Sequence, residues 1–275
     1  MRRDFRRRAE AKARWRSMIL PLGVGALLLI GVVAFYQVGT RVPETDNRLC
    51  PKATGPVGAT VLLLDTSDPL TPKHRAELER LAGQIASEHA GRMGIAAGEL
   101  LAVYELSQDP GAPKQLIDIC RPLINPKDRS WRDDIHRGWR FHERDWERFE
   151  DSLTNAFPEH DGEPQSTSPL LETIAVLAAR HGPGKRGDNR FNVHLVVFSD
   201  LLQNTPRLSH YGPYPDAKDM RHRARDLLTD LAGTRVSLFR LERPKYAKWQ
   251  SERHYYWWTE LVHEQGGQIE WQDSI

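Results

Sequence analysis

Two apolar segments far apart in the chain each end in hydroxyl and carboxylate residues, and this repeated pattern constrains the fold more than any other feature. Residues 61–64 are all apolar and lead directly into Asp-Thr-Ser at 65–67. Residues 193–198 are largely apolar and lead into Ser-Asp at 199–200. Continuous apolar segments of this length are typical of parallel strands buried on both faces. Because ligands of open α/β sheets bind outside the carboxyl ends of the strands, the two segments predict an oxygen-rich site at one edge of such a sheet.

The rest of the chain alternates strand and helix patterns. Strands are predicted at 59–65, 99–106, 114–120, 191–199, 235–241 and 267–271, and helices at 72–90, 140–157, 168–181, 217–232 and 251–265. This alternation predicts a Rossmann-like α/β fold, with an open, mostly parallel sheet and helices on both faces. The turn between the second and third strands is too short for a parallel crossover, so these two strands are expected to pair as an antiparallel edge hairpin.

The motifs resemble those of von Willebrand factor type A domains over about residues 57–275. That family holds a metal ion with D-x-S-x-S after the first strand, a threonine in a hydroxyl-rich turn and an aspartate that ends the fourth strand. Here the first motif matches at Asp65 and Ser67, the turn has Ser168 in place of the threonine, and the last motif matches at Asp200. The resemblance therefore implies a site for Mg²⁺ or another divalent cation at these four residues.

The sequence departs from the family pattern at two further positions. Pro69 stands where the first motif has its second serine, and Leu201 replaces the glycine that follows the last aspartate. Because Mg²⁺ takes about six oxygen ligands and proline offers no side-chain oxygen, one expected ligand is lost. Asp68 is a candidate replacement. The alternative is that Asp65 and Ser67 cap the following helix, since Asp and Ser are favoured N-cap residues.

A basic tail and an uncharged apolar segment lie near the N-terminus. Residues 1–17 carry eight Arg or Lys and two acidic residues, and the nineteen residues at 18–36 carry no charge. About 20 apolar residues suffice for a helix to cross the hydrocarbon core, and a preceding basic cluster stays in the cytoplasm. We therefore expect a single-pass protein of the bacterial inner membrane, with a cytoplasmic N-terminus, a linker at 37–58 and a periplasmic domain at 59–275. A cleaved secretory signal is the alternative, although the apolar segment exceeds the usual ~7–15 residues.

The two cysteines fit an exported domain. Cys50 lies just before the first predicted strand, and Cys120 ends the third. An even number of cysteines in an oxidising compartment favours a disulfide between them. Two buried free thiols are the alternative. A zinc site is not expected, because neither cysteine has a C-x-x-C partner or an adjacent histidine pair.

Aromatic residues are concentrated in two places. An insertion at 121–165 is charged and rich in tryptophan, and residues 255–258 of the last predicted helix are Tyr-Tyr-Trp-Trp. Successive helix positions rotate by about 100°, so these four rings cannot all face one core. We expect one or two of them to pack on the sheet and the others to contact the insertion. A partner surface or the membrane interface is the alternative, because exposed Trp and Tyr favour both.

Several function classes lack their motifs. Lys185 follows a Gly-Pro-Gly turn without phosphate-loop spacing, so no nucleotide is expected. The domain has no clustered excess of Lys and Arg, so no nucleic acid is expected, and there is no H-E-x-x-H or G-x-S-x-G motif. We therefore predict a non-catalytic protein that binds an unidentified protein partner or organises an envelope complex, through a cation-bridged contact. A metal-dependent envelope hydrolase that uses the same carboxylates is the alternative.

Overall fold

The computed structural model describes residues 27–33, 44–86, 94–126, 139–156, 165–182 and 191–275. One compact unit consists of residues 44–129 and 140–275 and contains the whole sheet.

The predicted membrane span at 18–36 lies mostly outside the described residues, and the tail at 1–17 lies wholly outside them. Residues 27–33, within the span, are helical and exposed. Among the helices that the structure describes, none has the length and apolar character needed to cross a membrane. The span and its orientation stay predictions.

Six strands form one sheet. They are β1 (Gly58–Leu64), β2 (Leu100–Glu105), β3 (Lys114–Cys120), β4 (Asn192–Ser199), β5 (Thr234–Arg240) and β6 (Gln268–Ser274). The strand order is β3-β2-β1-β4-β5-β6, and every neighbouring pair is parallel except β2 and β3. The mostly parallel α/β sheet and the antiparallel edge hairpin are therefore confirmed, and β1 and β4 are central neighbours.

Helices cover both faces of the sheet. They are α1 (Pro72–Ala86), α2 (Trp139–Ala156), α3 (Leu170–His181), α4 (Met220–Arg223) and α5 (Glu252–Glu264). Apolar residues of α1 and α2 belong to one core, and those of α3 and α5 belong to another. Strand β1 serves both cores, because successive side chains of a strand point to opposite faces. Ala59, Val61 and Leu63 contribute to one core and Leu62 and Leu64 to the other.

The helix after β1 has its own cap. The backbone N–H of His74 donates to Thr71 Oγ1 at 3.2 Å, and the backbone N–H of Thr71 donates to His74 Nδ1 at 3.4 Å. This reciprocal arrangement resembles a capping box, and α1 begins at the next residue, Pro72. The hypothesis that Asp65 and Ser67 cap this helix is therefore wrong, because the helix begins several residues beyond their turn.

Residues 217–232 do not form the single predicted helix. They contain a 3₁₀ turn at Ala217–Asp219, the four-residue α4 and a second 3₁₀ turn at Arg225–Leu227. The backbone leaves the helical region at Ala224, whose φ is −150°. The sequence pattern could not distinguish these turns from one helix, because the buried residues keep helical spacing: Ala217, Met220, Ala224, Leu227 and Leu231.

The predicted disulfide is confirmed. The sulfur atoms of Cys50 and Cys120 are bonded at 2.02 Å. The backbone N–H of Cys120 also donates to Arg48 O at 2.7 Å, and Leu49 is buried. The part of the predicted linker that the structure describes, residues 44–57, therefore packs on the domain.

The aromatic residues of α5 contact a loop on their own face of the sheet. Trp258 Nε1 donates to Leu201 O and Trp257 Nε1 donates to Pro215 O, both at 2.8 Å, whereas Tyr256 is 68% exposed. Helix α2, within the described part of the insertion, covers the opposite face of the sheet from α5, so it does not provide the predicted contact with these rings. Residues 127–138 and 157–164 of the insertion lie outside the described residues.

Candidate functional site

The carboxyl ends of β1 and β4 bring the two predicted acidic ligands to the same edge of the sheet. Asp65 follows β1, and its backbone N–H donates to Phe198 O of β4 at 2.9 Å. Asp200 follows β4, and the two residues are only 2% and 3% exposed. Burying a carboxylate is costly unless hydrogen-bond donors or a cation compensate it. The partners of these two side chains therefore decide what the site can bind.

Both carboxylate oxygens of Asp65 accept hydrogen bonds from neighbouring turns. Its Oδ1 accepts from the backbone N–H of Ser67 at 3.0 Å, and its Oδ2 accepts from Ser199 Oγ at 2.6 Å. Ser199 Oγ accepts in turn from the backbone N–H of Leu201 at 2.8 Å. Leu201 has a φ of 60°, in the left-handed region that glycine adopts most easily. The backbone therefore keeps here the conformation that glycine favours, although the side chain is leucine.

The two predicted serine ligands lie at this edge as well. Ser67 O accepts from the backbone N–H of Gln165 at 2.8 Å, and Ser168 exchanges two backbone hydrogen bonds of 2.9 Å with Asn204. Ser168 Oγ is buried and has no hydrogen-bond partner in the described part of the chain. The structure therefore brings all four predicted positions to one edge.

Arg243, which the sequence analysis did not identify, faces Asp200. Its Nε lies 3.6 Å from Asp200 Oδ2, and its side chain is only 7% exposed. Its Nη1 donates to Pro69 O at 2.8 Å, and its Nη2 donates to Asp68 O at 3.0 Å. Burial, and next the nearby Asp65 carboxylate, raise the pKa of Asp200 well above its ordinary value, and the guanidinium of Arg243 offsets only part of this rise. Arg243 therefore favours the charged form of a carboxylate that its surroundings disfavour.

Residues 243–250, called the edge segment below, lie across the ends of three strands. Arg243 and Gln250 close the segment through a 2.8 Å hydrogen bond from the Arg243 N–H to Gln250 Oε1. Gln250 Nε2 donates to Asp200 O after β4 and to Leu241 O after β5, at 3.1 and 2.7 Å. Lys245 Nζ donates to Oδ1 of Asp68 at 2.7 Å. Each of these side chains fixes the edge segment beside the candidate site.

The edge segment presents aromatic and basic side chains. The rings of Tyr246 and Trp249 lie 5.6 and 4.8 Å from the ring of Tyr211, and all three are partly exposed. Lys245 Nζ lies 4.5 Å from the ring centroid of Tyr246, and Lys248 Nζ lies 3.8 Å from that of Trp249. Tyr and Trp are enriched at protein interfaces. We call these three rings the edge aromatic cluster.

Observations at this edge speak both for and against a divalent cation. One observation favours an ion, namely the buried Ser168 hydroxyl without a partner among the described residues. One observation opposes it, because a buried guanidinium lies next to Asp200. The described residues contain no group of three or more His, Cys, Asp or Glu side chains that could hold a metal.

Two buried histidines lie behind the turn at Leu201. His254 Nε2 and His210 Nδ1 share a hydrogen bond of 2.9 Å, and the backbone N–H of Gln203 donates to His210 Nδ1 at 3.3 Å. Burial lowers the pKa of both, to about 3 for His210 and about 4 for His254. Both are therefore neutral at physiological pH, and the ring of His210 packs against Trp257 and Trp258 of α5.

Sequence reasoning placed Ser199 at the strand end without assigning it a role, and it missed Arg243 and Lys245. Ser199 was within reach, because it immediately precedes Asp200 at the strand end. The signal for Arg243 and Lys245 is weaker: both are basic residues that follow the carboxyl end of β5, the neighbour of β4. Residues after every strand of a parallel sheet deserve the same inspection, because all these ends meet at one edge.

Two solved structures resemble the fold at low similarity. Proximal thread matrix protein 1 from the mussel byssus has 8% sequence identity and a TM-score of 0.36, with 68% of this chain and 38% of that chain covered. The human COPII-coat protein Sec24c has 10% identity and a TM-score of 0.33, with 82% and 31% covered. This chain therefore spans less than two-fifths of either. No family model matches the sequence, and no curated protein matches it.

Proposed function

We propose that this chain is a single-pass membrane protein whose α/β domain lies in the periplasm of a bacterium and binds another protein through the carboxyl edge of its sheet. The main support for the proposal is the way in which the edge segment is fixed to the sheet. Arg243 and Gln250 fix the segment to the ends of β1, β4 and β5, while Tyr246 and Trp249 remain partly exposed. Rigid aromatic side chains beside basic groups are typical of the energetically dominant part of protein interfaces.

Two observations support the membrane and compartment assignments. The basic tail at 1–17 precedes an uncharged segment at 18–36, which follows the positive-inside rule. The Cys50–Cys120 disulfide suits an oxidising compartment such as the periplasm. A reporter that is active only outside the cytoplasm, fused after Ile275, is expected to be active. Activity of a cytoplasm-only reporter at the same position would contradict the orientation.

Site-specific cross-linking tests the interaction. A photoreactive residue at exposed Ala247, within the edge segment, is expected to capture a partner in intact cells. The same residue at exposed Asn192, at the amino end of β4, serves as the control and is expected not to capture it. Equal capture from both positions, or capture from Asn192 alone, would contradict the proposed surface.

Direct binding completes the test. The captured protein should bind the purified full chain, and Trp249→Ala should weaken that binding by about tenfold or more, as for a central interface aromatic. Tyr256→Ala, which removes an exposed ring of α5, is the matched control and should leave the affinity unchanged.

The two other hypotheses from the sequence stay predictions. A cation-bridged contact through Asp65, Ser67, Ser168 and Asp200 has the unpartnered Ser168 hydroxyl in its favour. An envelope hydrolase needs a general base beside the carboxylates. Incubation of the full chain with Mg²⁺ or Mn²⁺ and generic phosphoester and peptide substrates tests the hydrolase.

A further inference from the structure

The guanidinium of Arg243 contacts both turns that carry the predicted metal ligands. Its two Nη atoms donate to the carbonyls of Asp68 and Pro69, in the turn that follows β1. Its Nε faces Oδ2 of Asp200, in the turn that follows β4. The resemblance assigns these same two turns to a metal ion. One cation that belongs to the chain therefore already connects them.

Two basic side chains of the chain itself face acidic groups at this edge. Asp68 pairs with Lys245 at 2.7 Å, and Asp200 faces Arg243 at 3.6 Å. Asp65 accepts hydrogen bonds on both oxygens. A divalent ion at Asp200 would lie next to a buried guanidinium, which does not lose its proton in a protein. The positive charges of the ion and of the guanidinium would repel each other strongly at this buried, water-poor position.

A guanidinium suits this position for a geometric reason. It carries five N–H donors in a planar fork, so it can serve two carbonyl oxygens and face a carboxylate at once. The carbonyls of Asp68 and Pro69 and the carboxylate of Asp200 lie around it in this way. The proline that removes one expected metal ligand thus supplies a backbone oxygen to the arginine.

We infer that Arg243 takes the place of the divalent cation at this edge, so that the domain works without a metal ion. The replacement of the ion by Arg243 concerns the folded chain alone. Only its consequence for partner binding rests on the proposed function. Removing the guanidinium should uncover an oxygen-only set of Asp65, Asp200 and the buried hydroxyl of Ser168, which suits a hard cation. A variant without Arg243 is therefore expected to gain a site for Mg²⁺ or Mn²⁺ that the wild type lacks.

Thermal unfolding of the full chain in a mild detergent tests this inference. The wild-type melting temperature should be the same in EDTA, Mg²⁺ and Mn²⁺. Arg243→Ala should melt lower in EDTA, and a hundredfold excess of Mn²⁺ over its Kd should raise its melting temperature by about 5–10 °C. Arg253→Ala removes an exposed arginine and should behave as the wild type. Adding Asp200→Asn to Arg243→Ala should abolish the rise.

Two results would overturn the inference. One is a wild-type melting temperature that rises with Mg²⁺ or Mn²⁺ and loses the rise in Asp65→Ala or Asp200→Ala. The other is an Arg243→Ala variant that folds but whose melting temperature does not change with either ion. If Arg243→Ala does not fold, Arg243→Gln replaces it with the same expected gain, because glutamine keeps N–H donors and loses the charge. These readouts need no partner, so a failed cross-linking experiment leaves them unaffected.

Discussion

Ser199 Oγ donates a 2.6 Å hydrogen bond to Asp65 Oδ2 and so joins the carboxyl ends of the two central strands, across 134 residues of sequence. The same hydroxyl accepts from the backbone N–H of Leu201, whose φ is 60°. Ser199 is completely buried. It therefore fixes both the Asp65 carboxylate and the turn that carries Asp200.

Ser199→Ala should lower the free energy of unfolding by about 1.5–3 kcal/mol, the usual contribution of a hydrogen bond to a charged group. The loss arises because the buried Oδ2 of Asp65 loses its short donor. Urea denaturation of the full chain measures it. Ser166→Ala, at an exposed serine, is the matched control and should change stability by less than about 0.5 kcal/mol. Equal stabilities of the two variants would contradict the role assigned to Ser199.

The positions of Asp65 and Asp200 could be predicted because the residues that immediately precede each of them in the sequence indicate a strand end. Each follows a continuous apolar strand, and the carboxyl ends of parallel strands meet at one edge. The Cys50–Cys120 pair was equally accessible, because the chain has only two cysteines. These features depend on residue type and order, which the sequence states directly.

Arg243 could not be assigned in this way, because its role depends on the path of a loop. Its two Nη atoms bind backbone carbonyls of Asp68 and Pro69, which lie 175 and 174 residues earlier. Every residue has a backbone carbonyl, so the sequence carries no mark of these acceptors. The broken helix at 217–232 was missed for a related reason, since its buried residues keep the spacing of a continuous helix.

The Cys50–Cys120 disulfide should contribute a large part of the free energy of unfolding of the domain. It spans 70 residues of sequence, and closing such a loop contributes roughly 4 kcal/mol on the chain-entropy account. The Cys50→Ala/Cys120→Ala double variant should therefore unfold at lower urea concentration, and a reductant should shift the wild type but not the variant. Two free thiols in peptides of the protein, isolated from its source cells without reductant, would contradict the bond.

Neighbouring aromatic residues of α5 should differ sharply in their effect on stability. Trp258 is 1% exposed and donates to Leu201 O, whereas Tyr256 is 68% exposed. Trp258→Ala should lower the free energy of unfolding by about 3–5 kcal/mol, because it leaves a cavity in the core and removes the indole hydrogen bond to Leu201 O. Tyr256→Ala should stay within about 0.5 kcal/mol of the wild type. Comparable losses in urea denaturation would show that the two faces of α5 are assigned wrongly.

The stability of the domain should fall as the pH is lowered from about 6.5 to about 4, because buried histidines stay neutral in the folded state. Burial lowers the pKa of His194 and His254 to about 4 and that of His210 to about 3, from an ordinary value of 6.5. Within this window each of these histidines binds its proton only in the unfolded chain, so each can reduce the free energy of unfolding by about 1.4 kcal/mol per pH unit. Asp200, whose pKa is raised in the folded state, acts in the opposite direction and offsets part of this slope. His194→Gln should make the slope of stability against pH shallower by about one proton, and His263→Gln, at an exposed position of α5, is the matched control. Urea denaturation at several pH values measures the slope, and a wild-type stability that is flat between pH 6.5 and 4 would contradict the prediction.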